Sequence, residues 1–423
     1  METTEEPVEL VERVAALDLG KATLMACVRV PHEDRPERRR QEIREYPTLS
    51  RSLLELADWL RCERIELVVM EATSDYWKPV FYLLEAEGFT CWLLNAKHVK
   101  NVPGRPKTDK LDAVWLAKVA ERGMCSPSLV HPKPIRQLRD LTRYRRSLIR
   151  ERTREKQRVE KLLEDAQIKL SSVISDVFGV SGREMLAALI AGQRSPRILA
   201  QMARGSMRSK TAVLEEALTG HFEDHHGFLL QAMLDHVDAL TVQVDAVSAR
   251  IEAVIDPFSR DVERFDEITG IGVTAAQELI AEIGVDVTRF PTAAHLVSWA
   301  KFAPIEKSSA GKKRGGSTGK GNPWLAGTLG EIVASVSRTN TFLGERYRRL
   351  ARRIGKSRAI VAVGNSILKI IWHLLNDPQA RYQDLGGDHY QTTINTRRRE
   401  RDLIRQLEHL TGKKVTLAAT AAA

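Results

Sequence analysis

The sequence predicts a mixed α/β domain in the first third of the chain, followed by a mainly helical region rich in positive charge. Short apolar runs alternate with amphipathic segments from about residue 11 to residue 123. Beyond residue 134, apolar residues recur every three or four positions over long stretches, which is the period of a helix. At 423 residues the chain is longer than a single hydrophobic core usually supports, so two or three domains are expected.

The order of elements in the first third predicts a ribonuclease-H-like sheet. The candidate strands are residues 12–19, 23–30, 41–46, 65–70 and 89–94. The candidate helices are residues 50–61, 75–87 and 109–122. This is an order of three strands, a helix, a strand, a helix, a strand and a final helix. In open α/β folds, functional side chains collect where the carboxyl ends of strands meet.

Four carboxylates fall where this fold would bring them to one edge of the sheet. Asp18 lies near the end of the first strand, and Glu71 closes the fourth. Asp109 and Asp112 lie at the start of the last helix, with Thr108 as its N-cap. Because of their i, i+3 spacing, these two aspartates share one helical face, with Cβ atoms roughly 5–6 Å apart. Such a cluster is typical of a site that holds divalent metal.

Composition favours a polyanionic partner and argues against several classes of protein. The net charge is +10 and the pI is near 9.4. The cysteines form no C-x-x-C pair, so we expect buried free thiols and neither a zinc site nor disulfides. They are Cys27, Cys62, Cys91 and Cys125. With no secretory signal and no run near the roughly 18 apolar residues that span a bilayer, a soluble, cytoplasmic protein is expected.

After an N-terminal domain of residues 11–127, residues 135–256 are expected to form a helical, coiled-coil linker. A first long helix, about residues 135–170, has arginines every three or four positions, which places them in one stripe. A solvated coiled-coil face is one interpretation, but we favour a phosphate-facing helix because positive charges there outnumber negative ones. The stripe consists of Arg136, Arg139, Arg143, Arg146, Arg150 and Arg154.

A second long helix, about residues 228–256, has an apolar seam that can pair with the first, within the chain or across a dimer. Between the two, residues 171–227 indicate only short helices. Three histidines there are expected to be surface side chains, because no further metal ligands accompany them. They are His221, His225 and His226.

Residues 262–380 are expected to form a C-terminal domain with two features suited to phosphate. Gly270 and Gly272 lie in a turn typical of a helix-hairpin-helix, although an ordinary glycine turn between packed helices is the alternative. A stretch of small residues then places Ser308 and Ser309 among cations, where a hydroxyl can attack a phosphate. A phosphate-binding loop without covalent chemistry is the alternative. The cations are Lys312, Lys313, Arg314 and Lys320.

Two further basic regions follow. One is a cluster of seven cations within residues 346–358, and the other is a basic tail in residues 381–423. Three separated basic regions, with no helix that pairs a basic face with a Trp or Phe face, favour nucleic acid over a membrane.

Together these segments resemble the DEDD-type insertion-sequence transposases of the one-hundred-and-ten family, kin of the Piv DNA invertases. The resemblance extends over about residues 11–375. Its motifs are Leu17-Asp18-Leu19-Gly20, Met70-Glu71-Ala72-Thr73, Lys107-Thr108-Asp109-Lys110-Leu111-Asp112-Ala113, the turn at residues 268–276, and Ala303-Pro304 followed by Ser308-Ser309 and a glycine-rich basic stretch.

The resemblance implies a RuvC-like N-terminal domain, a coiled-coil linker and a C-terminal transposase domain. It implies Mg²⁺ on the carboxylates, a serine that attacks DNA to form a phosphoserine link, and a bridge RNA that pairs with donor and target DNA. Matching from Pro304, the family serine falls on Ser309, with Ser308 as its neighbour. The implied magnesium ligands are Asp18, Glu71, Asp109 and Asp112.

The leading hypothesis is therefore a site-specific DNA recombinase of a mobile insertion element, with Ser309 as nucleophile. One alternative is a RuvC-like nuclease or junction resolvase that uses metal-activated water alone. Another is a non-catalytic nucleic-acid-binding scaffold. Because recombining two duplexes requires several strands to be cut in concert, a homo-oligomer, either a dimer or a tetramer, is expected, with residues 228–256 as its seam.

Overall fold

The computed structural model describes residues 11–35, 38–72, 74–95, 109–305, 307–309, 312–314, 317–392 and 396–416. The chain divides into two compact units, Met1–His131 and Pro132–Ala423. Each unit has its own core.

The N-terminal unit is built on a five-stranded mixed sheet. Its strands are β1 (Val14–Leu19), β2 (Thr23–Pro31), β3 (Arg39–Pro47), β4 (Leu67–Glu71) and β5 (Cys91–Leu94). They lie in the order β3-β2-β1-β4-β5, with β1 antiparallel to β2 and parallel to β4, and with β4 parallel to β5. The central strands β1 and β4 are buried on both faces, which is why they are apolar runs rather than alternating ones.

Helices α1 (Ser50–Cys62), α2 (Trp77–Ala86) and α3 (Asp109–Glu121) cover the sheet. One face packs against the buried side of α1 and of α2, and the opposite face packs against α3. The predicted order of strands and helices is confirmed, and every predicted boundary lies within two residues of the observed one. Continuous apolar runs locate β1 and β4, whereas the amphipathic period locates α1 and α2.

The second unit is mainly helical and contains one small hairpin. Its helices are α4 (Lys133–Asp165), α5 (Leu170–Val173), α6 (Val180–Ile190), α7 (Pro196–Gln201), α8 (Thr211–Ala217), α9 (Asp224–Ile255), α10 (Ser259–Asp266), α11 (Val273–Ile283), α12 (Ala293–Trp299), α13 (Pro323–Val336), α14 (Phe342–Ile354), α15 (Lys356–Asn376), α16 (His389–Thr392) and α17 (Thr396–Thr411). The hairpin strands are β6 (Lys307–Ser309) and β7 (Lys312–Arg314).

The two long helices, α4 and α9, pack against each other within the chain. Leu148 of α4 packs with Leu240 and Val244, whereas Val159 belongs to the same buried cluster as Leu230, so the helices run antiparallel. Of the two expected pairings of residues 228–256, the one within the chain is confirmed, because the apolar face of α9 is buried against α4. A seam between subunits along this helix stays a prediction. Homo-oligomerisation itself stays a prediction.

The structure also tests the expectations about the cysteines and about membrane-spanning segments. All four cysteines are free, as predicted, but only Cys27 is fully buried and Cys62 is exposed. In the described part of the chain, α15 is the one helix long and apolar enough to span a bilayer by length and composition. This is a weak indication, because α15 packs against α12, α13 and α14 and buries Val363, Ile367 and Ile371 as a core helix would.

Candidate functional site

The sheet places Asp18 and Glu71 side by side. Leu17 is in register with Met70 in the parallel β1–β4 pair, so the next residues along, Asp18 and Glu71, are neighbours on adjacent strands about 4.8 Å apart. Side chains alternate between faces, and Val69 packs on the α3 side. Both carboxylates therefore belong to the face that α3 covers, and Glu71 is only 6% exposed.

Helix α3 brings Asp112 to the same end of the sheet. Arg29, which pairs with Val14 at the start of β1, forms a 2.8 Å ion pair with Glu121 at the end of α3, so α3 runs antiparallel to β1. Nine residues of helix from Glu121 back to Asp112 cover about 13.5 Å. Four residues of strand from Val14 to Asp18 cover about 13 Å. By this estimate, Asp18 and Asp112 lie at similar heights along the sheet.

Asp109 opens α3, one turn before Asp112, but its side chain lies outside the described residues. Asp18, Glu71 and Asp112 each interact with a neighbouring group. Among the described side chains, no three Asp, Glu, His or Cys residues are grouped as a metal site. The donor set still fits a hard divalent cation, since carboxylate oxygens are the ligands that such ions prefer. The four-carboxylate metal site therefore stays a prediction.

The glycine turn lies between α10 and α11, and its two glycines have different surroundings. Gly270 has a φ of +88°, and a Cβ there would lie 2.3 Å from Val336 Cγ2 of α13. Gly272 is the N-cap of α11, and a Cβ there would meet nothing within 4 Å. Packing and backbone conformation therefore account for Gly270, whereas the space beside Gly272 is open. Phosphate binding at this turn stays a prediction.

The segment expected as a serine loop is a β-hairpin. Ser309 is in register with Lys312, and Ser308 with Lys313. An isolated bridge between Pro304 and Thr318 lengthens the paired arms. The side chains of residues 306–316, which include Ser309, Lys312, Lys313 and Arg314, lie outside the described residues, whereas Lys320 is exposed. Backbone pairing, which composition cannot reveal, fixes the position of Ser309 along the strand.

At the end of this hairpin segment, Asn322 joins a buried polar network that the sequence did not reveal. Arg143 of α4 donates two hydrogen bonds to the Glu282 carboxylate of α11, at 2.7 and 2.8 Å. Asn322 donates from Nδ2 to the same carboxylate, and its Oδ1 caps α13 by accepting from the Trp324 N–H at 3.0 Å. Glu282 thus links the long helix α4, the glycine-turn helix α11 and the start of α13.

The network continues one turn further along α4. Arg146 Nη1 donates to Glu278 at 2.6 Å and to Thr328 of α13 at 2.6 Å, and Nη2 contacts Glu331. Burial alone would raise the pKa of Glu282, but the hydrogen bonds and charge of Arg143, with the charge of Arg139, outweigh it and lower that pKa. Glu282 is therefore an anion held by arginines.

These contacts correct the prediction of one phosphate-facing arginine stripe on α4. Arg139 donates to the carbonyl oxygen of Ala281 at 2.9 Å, and Arg143 and Arg146 form the ion pairs with α11. Arg150 is exposed and lies over the Trp324 ring, 5.3 Å from its centroid. Binding of nucleic acid by Arg150 stays a prediction. The missed signal was the i, i+4 pair Glu278 and Glu282, which matches the arginine spacing.

Comparisons with known proteins match both parts of the chain. Residues 15–168 match the family model for DEDD transposases of the IS110 type, and residues 262–348 match the transposase IS116/IS110/IS902 family. A curated relative, the transposase for insertion sequence element IS1111A of Coxiella burnetii, is 24% identical over 321 residues, covering 74% of this chain and 78% of the relative.

The class defined by these matches is a DNA transposase, an enzyme that acts on DNA. The chain belongs to the IS110 family of DEDD transposases, so it is the transposase of an insertion element. Membership of a DEDD-type family implies a divalent metal cofactor.

Proposed function

We propose that this transposase cuts and rejoins DNA with two sets of groups, the carboxylates at the edge of the sheet and the serine of the β6–β7 hairpin. The observation that supports the carboxylate half is the register of Leu17 with Met70, which makes Asp18 and Glu71 neighbours, together with the estimated height of Asp112 on α3. Asp109 completes the proposed ligand set, because its i, i+3 spacing places it one turn from Asp112. The proposed metal is Mg²⁺.

Mg²⁺ held by Asp18, Glu71, Asp109 and Asp112 would supply positive charge that stabilises the negative charge developing on the phosphoryl and leaving oxygens. The protein's own part is nucleophilic: Ser309 Oγ forms a bond to phosphorus while one P–O bond of the DNA breaks. The hydroxyl loses its proton, and the departing DNA oxygen gains one. A covalent serine–phosphate link conserves the energy of the broken bond for rejoining.

Cations of the hairpin are proposed to stabilise the phosphate that Ser309 attacks. Lys312 is paired with Ser309 across the hairpin, and Lys313 and Arg314 follow it on β7. Preorganised positive charge at a transferring phosphoryl group lowers the barrier because the charge is already in place. Asn322 anchors the end of the same segment to Glu282, so we assign these two residues a positioning role.

The serine role is tested by trapping the protein–DNA link on denaturing gels. Ser309→Ala should abolish the adduct while leaving DNA binding largely intact. Ser308→Ala is the matched control, since it removes an identical hydroxyl from the preceding register position, and it should retain the adduct. An undiminished adduct in Ser309→Ala would exclude Ser309. Free DNA ends without attached protein in the unmodified enzyme would favour the nuclease mechanism.

The carboxylate role is tested by metal binding, which is independent of the serine. Titration calorimetry with Mn²⁺ or Mg²⁺ should show binding to the full chain that is lost in Asp18→Asn and in Glu71→Gln. Asp75→Asn is a suitable control, because Asp75 is a mostly exposed surface acid paired with Lys78. Equal metal binding by all four proteins would contradict the assignment.

A bridge RNA and a homo-oligomer complete the proposal. Strand transfer by purified protein should require RNA encoded by the element, and protein treated with ribonuclease should bind DNA without joining it. Activity that survives complete removal of RNA would contradict the guide.

A further inference from the structure

The junction between α14 and α15 has four exposed cations that form no ion pair with any residue in the described ranges. These four residues, called the junction patch below, are Arg352, Arg353, Lys356 and Arg358. They lie within seven consecutive positions, on the two sides of Gly355, where one helix ends and the next begins.

Other arginines of α14 are held by the protein itself. Arg346 donates to the Tyr390 hydroxyl at 3.0 Å, and Arg349 lies 3.7 Å from the centroid of the same ring. Arg348 donates to Glu345 at 3.1 Å. The basic cluster predicted from the sequence therefore consists of two groups. Three arginines hold α14 in place, and four cations face solvent.

The charges around the junction patch destabilise it unless an anion is bound nearby. Lys356 and Arg358 occupy the first turn of α15, where the helix dipole already contributes positive charge and anions are the favoured neighbours. That turn has no acidic residue and no side-chain cap. From residue 342 to residue 376, Glu345 is the single acidic residue in the sequence, and it is paired with Arg348. Like charges are therefore concentrated where nothing in the described structure neutralises them.

We propose that the junction patch binds the phosphate backbone of the DNA duplex. Solvent-exposed lysines and arginines without acidic partners are suited to phosphates, which they contact without reading base sequence. This inference rests on DNA as the partner, and on neither the metal site nor Ser309.

The test measures DNA affinity of the full-length protein as a function of salt, with a chelator present so that no cleavage occurs. Two double variants, Arg352→Gln with Arg353→Gln and Lys356→Gln with Arg358→Gln, each remove two cations, and their combination removes four. A plot of log K against log salt has a negative slope, and the magnitude of that slope falls by about 0.9 for each phosphate that the protein no longer neutralises. We expect a decrease of about 1.8 for each double variant and about 3.6 for the combination.

A charge-matched control separates local binding from overall charge. It neutralises four cations of the same unit that already have acidic partners: Lys169→Gln, Arg183→Gln, Arg194→Gln and Arg204→Gln. Its slope should change by less than about 0.9. A change in the junction variants no larger than in this control overturns the proposal.

Two unrelated duplexes of equal length complete the test. Equal losses of affinity on both are expected for backbone binding, whereas losses confined to one would show base readout and overturn the proposal. The circular dichroism spectrum should be unchanged and the melting temperature should not fall in any junction variant, because these side chains form no described ion pair and neutralising them relieves like-charge repulsion. If the combined variant fails to fold, the two double variants decide the question separately.

Discussion

Replacing Glu282 by Gln is the perturbation whose effect the structure defines most sharply. Gln keeps the size of the side chain but removes the charge that Arg143 and Arg139 neutralise. Glu282 is 2% exposed, so its ion pair with Arg143 is largely desolvated. Removing one partner of a buried pair costs about 3–5 kcal/mol, because the other charge is left uncompensated. Since the Arg143 side chain is 34% exposed, water can solvate part of its charge, and we expect the low end, about 3 kcal/mol.

Glu331→Gln is the matched control for this perturbation. Glu331 also accepts from an α4 arginine, Arg146, but its side chain is 74% exposed. Exposed ion pairs contribute about 0–1 kcal/mol, so this variant should lose less than about 1 kcal/mol. The two variants thus make the same chemical change at a buried and at an exposed position of one network.

Hydrogen exchange measured by mass spectrometry is the appropriate assay, because it reports opening of individual helices in a chain with two units. Peptides from α11 and from the start of α13 should lose protection from exchange in Glu282→Gln, and their protection should change little in Glu331→Gln. Peptides from the N-terminal unit serve as an internal reference. If Glu282→Gln lowers the opening free energy of α11 by no more than Glu331→Gln does, the network is not the link that we infer.

Three further predictions concern other groups. The pKa of Glu282 is lowered in the folded state, so its charge stabilises the fold above its unfolded pKa, and this stabilisation is lost as pH falls through the folded pKa. In the unmodified protein, α11 should therefore lose exchange protection below about pH 4.5. In Glu282→Gln, the protection of α11 should depend less on pH. Gly270→Ala should lower the free energy of unfolding by about 2–4 kcal/mol in thermal unfolding, because it combines a positive φ with overlap against α13. Gly272→Ala should lower it by under about 1 kcal/mol, and a similar loss in both variants would contradict this packing argument. Iodoacetamide should label Cys62 first, since burial raises the pKa of Cys27 to about 11, and rapid labelling of Cys27 in the folded protein would contradict its burial.

The elements of the N-terminal unit could be located from the sequence because their signals are local. β4 is a continuous apolar run ending at Glu71, and α3 opens at Asp109, as predicted. The level of Asp112 relative to Asp18 needed the observed register and the ion pair of Arg29, since no local pattern gives the direction of α3 across the sheet. Sequence therefore indicated which carboxylates to consider, and strand pairing brought two of them side by side.

The second unit shows where local patterns mislead. The arginine spacing on α4 correctly indicated one helical face, but the sequence could not show what that face contacts. Arg143 and Glu282 are 139 residues apart, and they meet only because α4, α11 and α13 pack together. Similarly, the apolar seam of α9 was recognised, while its partner, α4 of the same chain, was left open.

The sequence by itself determined the period of each element, the positive charge of the chain and the carboxylates and serine worth testing. All of these depend on residues close together along the chain. Only the tertiary structure decided which cations are neutralised inside the protein and which are left for a partner. That choice depends on contacts between distant segments, since burial beside Glu282 turns Arg143 into a structural ion pair, whereas the junction of α14 and α15 leaves Arg352 in solvent.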